Sequence, residues 1–121
     1  MNKKQNGEIM IYKTKDWWAK IDVRLENETI WLNQKQMADL FDVNLKTVNE
    51  HLVNIYKSWE LDKNPTIWKN QIVQIEWKRE VKREVNFYNL DAIISVWYRV
   101  NSKNATNFRI WATSVLKSHL V

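Results

Sequence analysis

The residues best placed to do chemistry lie in one run, NQKQMADLFDVNLKTVNEHLVNIY, residues 33–56. With Leu45, Val48, Leu52 and Ile55 turned inward at helical spacing, Lys46, Thr47, Glu50 and Asn54 point outward, flanked by Asn49 and Val53. Polar side chains of this length can read base edges in a major groove, and Lys46 can alternatively reach a phosphate. Glu50 repels phosphate, so it fits this face only if it accepts from a cytosine amino group or stands away from the backbone. His51 reads as a rim residue of the same helix. A second cluster, Lys78, Arg79, Lys82 and Arg83 in WKREVKRE, suits a β-ribbon tip lying along a phosphate backbone. Glu76, Glu80 and Glu84 interleave with these cations, so the segment also reads as a solubilising turn.

Enzymatic chemistry finds no comparable pattern. The two histidines, His51 and His119, are far apart, and no cysteine is present to join them in a metal site. Ser95, Ser102, Ser114 and Ser118 have no evident base partner. Glu26 and Glu28 are close, but a strand turn is their expected setting and solvation their expected role. No phosphate-cradling glycine loop is spelled. We therefore expect no catalytic residue, metal, cofactor or small-molecule substrate. Near the carboxy terminus, Arg99, Lys103 and Arg109 offer a second phosphate patch or a partner surface; the plainer reading packs the Arg109 stem beside Trp111.

The elements that must position these groups follow from periodicity. Residues 8–14 (EIMIYKT) and 20–25 alternate like strands, and a turn at LENETIWL leads to a third strand at 29–32. Asn33 is a fair N-cap for QKQMADLF, whose Met37, Ala38, Leu40 and Phe41 share one face. DVN breaks that helix, and Asn44 caps the next. The small Ala38, the short turn and the inward Val48 give the pair the proportions of a helix-turn-helix; an ordinary αα-hairpin with a solvated face fits the same pattern. WELDKNP reads as a loop. QIVQIE (71–76) and VKREVNFY (81–88) form a second hairpin around Trp77–Glu80, and NLDAIISVWYRV and TNFRIWATSVLKSHL are two closing helices joined by NSKNA. The fold expected is α+β: a winged helix-turn-helix-like DNA-binding domain (33–88) between an amino-terminal β-hairpin and strands (8–32) and a carboxy-terminal helical pair (89–120), in one domain over 1–121.

Composition agrees with this reading. The chain has 121 residues, 45% apolar and 27% charged, which suits one soluble globular domain. Its formal net charge of +5 favours polyanionic partners. The absence of cysteine, of a membrane-length apolar run and of a signal-peptide core leads us to expect a cytoplasmic protein with no membrane partner.

The blocks VRLENETIWLNQKQMADLFDVNLKTVNEHLVNIY, ELDKN, FYNLDAIISV, YRVNSK and FRIWATSVLK together resemble the amino-terminal region of the virulence protein RhuM family, over roughly residues 8 to 120. The resemblance implies a bacterial DNA-binding protein, regulatory or linked to mobile or virulence-associated DNA, with no established chemistry. It also implies that the chain is the amino-terminal part of a longer architecture. FRIWATSVL in addition resembles the closing segment of phage antirepressor amino-terminal domains, a shorter match that implies a protein-interaction module without DNA binding. An accessory domain serving a catalytic region elsewhere is a third reading. The expected partners are double-stranded DNA and, for useful specificity, a second copy of the chain or another protein.

Two counts stand out. About 7% glycine would give roughly 8 residues, whereas the chain has one glycine and eight tryptophans. Trp31 and Trp111 match family tryptophans, while Trp17, Trp59, Trp77 and Trp97 stand where the family pattern has glycine. Three of these four fall in expected turns or loops, where glycine has a stereochemical role. Translation of a gene that reads UGA as glycine, with UGA taken as tryptophan, would produce this pattern. Taken literally, Trp17 and Trp77 should strain their hairpin tips by roughly 1–2 kcal/mol each. Trp97 should overfill a helix surface at about 1–3 kcal/mol.

Overall fold

A computed structural model describes residues 8–13, 20–100 and 103–119, the side chains of 103–105 and 119 apart. The tip Thr14–Ala19, with Trp17 and Trp18, lies outside the described residues. Its flanks are β1 (Glu8–Lys13) and β2 (Lys20–Glu26), paired antiparallel from Lys13↔Lys20 to Glu8↔Leu25. Ile21, Val23 and Leu25 alternate onto the buried face of β2, as the period of a strand requires. A two-residue turn, Asn27–Glu28, with both residues in the left-handed region, returns the chain into β3 (Thr29–Leu32). Asn27 tolerates that conformation better than most residues.

Helix α1 (Gln34–Phe41) starts on a reciprocal cap. Asn33 Oδ1 accepts from the Gln36 amide at 2.8 Å, and Gln36 Oε1 accepts from the Asn33 amide at 2.9 Å. It ends at Asp42, whose φ of 56° breaks the helix. Asn44 then caps α2 (Leu45–Lys57), accepting from the Thr47 amide at 2.8 Å and the Thr47 hydroxyl at 2.9 Å. All four expected core residues of α1 are buried, as are Val48, Leu52 and Ile55 of α2.

The structure departs from the sequence reading in four places. Leu45 is not inward but 51% exposed. One turn ahead of Val48 and rotated from it by about 60°, it falls on a flank of the helix. The loop after α2 contains a four-residue helix, α3 (Lys63–Thr66), in which the Thr66 hydroxyl bonds back to the Asp62 carbonyl. The second hairpin is longer and its turn tighter than expected: β4 (Ile67–Glu76) and β5 (Arg79–Asn89) pair along their whole length around Trp77–Lys78 alone. Finally, the two hairpins belong to one antiparallel sheet of order β1-β2-β3-β5-β4, joined through Trp31↔Asn89 and Leu32↔Tyr88.

Helices α4 (Leu90–Val100) and α5 (Lys103–His119) complete the α+β fold. Asn89 starts α4 by accepting from the Ala92 amide at 3.2 Å. One apolar cluster joins Ile21, Leu32, Met37, Ile55, Val96 and Phe108, so strands, the α1–α2 pair and both closing helices share a core. Trp97 packs against it from the rim. The side chain is half-buried at the rim, stacked on Tyr98 with ring centroids 5.2 Å apart and covered by the Arg109 guanidinium at 5.8 Å.

Candidate nucleic-acid interface

Helix α2 is anchored by Val48, Leu52 and Ile55, which are 0%, 3% and 0% exposed. That anchoring fixes the rotation of the helix. Lys46, Asn49, Glu50, Val53 and Asn54 consequently face solvent. Thr47 is different: half-buried, it gives its hydroxyl and amide to the Asn44 cap and sets the start of the helix. Asn49 Oδ1 accepts from Gln34 Nε2 at 3.2 Å, and the same nitrogen donates to the Tyr88 hydroxyl at 3.2 Å. These contacts tie α1, α2 and β5 together at one point and leave the Asn49 amino group as the donor it can offer. His51 is half-buried on the far flank from Asn49.

The ribbon's register assigns its cations to faces. Directly opposed residues share a face, so Lys69, Asn86, Val73 and Lys82 lie on one side, the side facing α2. Arg79 and Arg83 lie on the other with Glu76. Arg83 is pinned there, Nε to Glu76 Oε2 at 3.0 Å and Nη2 to Oε1 at 2.7 Å. The hydrogen bonds from Arg83 hold the Glu76 carboxyl below its usual pKa. Lys78 occupies the turn itself, at φ 66° beside Trp77 at φ 53°. The four tip cations therefore do not form one patch: Lys82 alone faces α2, and Arg83 is spoken for.

Between α2 and the root of the ribbon lies a groove of about 810 Å³. Asn49 and Val53 of the sequence-derived face line it; Gln34, Lys57, Lys63, Lys69 and Asn86 carry no such expectation from the sequence. Lys57 carried a weak signal as a basic residue in the last turn of a helix, and the others carried none.

The remaining candidates resolve into local roles. Arg99 Nη2 donates to Glu60 Oε1 at 2.8 Å, and this hydrogen bond lowers the Glu60 pKa. The Arg109 guanidinium lies over Trp97. Ser102 and the side chains of Lys103 and His119 lie outside the described residues. Ser95 is buried, and Ser118 Oγ donates to backbone carbonyls of α5. Glu26 is not simply solvated: its Oε2 is buried without a hydrogen-bond partner, as is Arg24 Nε on the same strand face. The Arg24 guanidinium lies over Trp68 and Phe87, at 5.4 and 5.7 Å. No group of three or more His, Cys, Asp or Glu residues that could hold a metal ion occurs among the described residues. None of their helices is long and apolar enough to cross a membrane.

The described residues thus define an α+β domain in which a capped, two-helix unit abuts one five-stranded antiparallel sheet with a projecting ribbon. Residues 65–121, from within α3 to the end of the sequence, match the model of the virulence protein RhuM family. No curated protein and no solved structure gives a significant match.

Proposed function

We propose that the protein is a non-enzymatic binder of double-stranded DNA with the working parts of a winged helix-turn-helix, regulatory or mobile-element-associated in role. Helix α2 enters the major groove, presenting Lys46, Asn49, Glu50 and Asn54, while the β4–β5 ribbon follows the phosphate backbone with Lys78 and Lys82, and Arg79 extends from its other face. One observation carries this reading. Three fully packed side chains and a doubly bonded Asn44 cap hold α2 rigid, with a polar, exposed outer face beside a basic ribbon. Thr47 supports the reader helix from its cap rather than reading bases.

The test is fluorescence anisotropy of labelled duplex DNA titrated with protein at several salt concentrations. Binding should weaken log-linearly with salt, and Lys46→Ala should weaken it further. Failure of a folded protein to bind at low salt would refute the reading. A protein-interaction module of antirepressor type is the second reading, favoured by Val73 and Ile75, which are 59% and 71% exposed on the ribbon face toward α2. Association through such apolar side chains would persist at high salt, so the same titration separates the two.

A further inference from the structure

The groove between α2 and the ribbon is built from segments far apart in the chain. Lys57 ends α2, Lys63 opens α3 and Lys69 stands near the start of β4, and all three line the groove. All three ammonium groups belong to exposed residues, and none is in an ion pair among the described residues. The rest of the lining is apolar, aromatic or amide-bearing, with no carboxylate. Asp62, next to Lys63 in sequence, lines the adjoining cleft, which Lys57 and Lys63 also border. Three like charges around one concavity, none of them ion-paired among the described residues, raise each other's energy and draw in an anion.

The shape of the floor narrows the anion's class. Tyr88 is 4% exposed and packs against Tyr56, whose hydroxyl is hydrogen-bonded to Thr66 Oγ1 at 2.9 Å. Of the aromatic rings in this floor, Tyr88 is buried and Tyr56 is half-buried against it, which leaves little open face for a base to stack on. What the groove offers is ammonium groups and amide N–H donors at its rim, the complement of phosphate oxygens.

We infer that this groove is a phosphate-backbone site: one strand of a DNA duplex passes between α2 and the root of the ribbon, its phosphates held by Lys57, Lys63 and Lys69. The inference rests on the DNA-binding reading above and adds to it. These lysines set where α2 sits on the duplex without reading sequence, whereas Lys46, Asn49, Glu50 and Asn54 meet base edges. The ribbon tip then becomes the secondary contact, since its Arg83 is already engaged by Glu76.

The test compares two triple variants of equal charge loss in the salt titration: Lys57→Gln/Lys63→Gln/Lys69→Gln, and Lys20→Gln/Lys35→Gln/Lys117→Gln outside the groove. All six lysines are exposed, and matching circular dichroism and urea midpoints establish that both variants are folded. The groove variant should lower the slope of log affinity against log salt by about 0.9 per lysine, and the outside variant should leave it unchanged. Lys→Arg at the three groove positions should restore the wild-type slope. Equal slopes in wild type and groove variant, or equal losses in both triple variants, would overturn the groove assignment while leaving DNA binding intact. Absence of any binding by folded wild-type protein would overturn both.

Discussion

Trp59 offers a direct measure of backbone strain. It sits just past the end of α2 at φ 63°. The Glu60 amide reaches back to the Ile55 carbonyl at 3.1 Å and the Trp59 amide to the Tyr56 carbonyl at 3.2 Å. This is the helix-ending pattern in which the left-handed residue is usually glycine, because a Cβ there crowds the following carbonyl. The indole contributes little to packing, being 82% exposed. Replacing Trp59 by Ala removes the indole but keeps the Cβ, and replacing it by Gly removes both. The Gly–Ala difference therefore isolates the strain. Relief of about 1–2 kcal/mol, less about 0.5–1 kcal/mol for the extra freedom of glycine in the unfolded chain, leaves Trp59→Gly more stable than Trp59→Ala by about 1 kcal/mol. In thermal unfolding this is roughly 3–5 °C for a chain of this size. A pair of variants with equal midpoints in urea and heat, or Ala above Gly, would refute the strain argument. It would also weaken the proposal that tryptophan stands for glycine at this position; mass spectrometry of the native protein, read at residues 59, 77 and 97, decides that proposal outright.

Other outcomes follow from the same geometry. Trp77→Gly, at a turn residue 94% exposed with φ 53°, should slow hydrogen exchange of the β4–β5 ladder amides relative to Trp77→Ala; equal protection would count against strain at the tip. Asn44→Ala should destabilise the fold by about 1 kcal/mol in urea, since it strips both bonds of the α2 cap. Leu52→Ala, at a side chain of α2 only 3% exposed, should lower stability by about 2–5 kcal/mol. Arg99 holds the Glu60 pKa below 4.5, so its stabilising tie is present above that value and is lost as pH falls through the lowered one. The stability gap between wild type and Glu60→Gln, below about 1 kcal/mol for so exposed a pair, should therefore be full above pH 4.5 and close as pH falls below it; a gap independent of pH would refute the linkage.

Local signals carried most of the elements. The Asn33 and Asn44 caps, the buried faces of α1 and α2 and the strands 20–25 and 29–32 all rest on interactions within a few residues, which periodicity and cap chemistry report directly. The left-handed turns were legible too: Trp59 and Trp77 were singled out because they stood where glycine was expected, and both have positive φ. What could not be read was pairing across the chain. The union of two hairpins into one sheet depends on Trp31↔Asn89 and Leu32↔Tyr88, contacts more than fifty positions apart that no local pattern encodes. The division of the tip cations had the same origin, because a strand's two faces are known only once its partner's register is known.

The groove carries this lesson to the function. Lys57, Lys63 and Lys69 each look like ordinary solvent-facing lysines at a helix end, a loop and a strand start, and they come together only because α3 turns the chain from α2 into β4. The cluster WKREVKRE, by contrast, looks like one basic patch in sequence, yet the alternation of a strand sends its cations to opposite faces and gives one of them to Glu76. Contiguity in sequence therefore overstates the ribbon tip and understates its root. On the DNA-binding reading, affinity comes from neutralised phosphates, so the cations sharing a concavity should matter most and the salt slope should follow the groove lysines more closely than the tip.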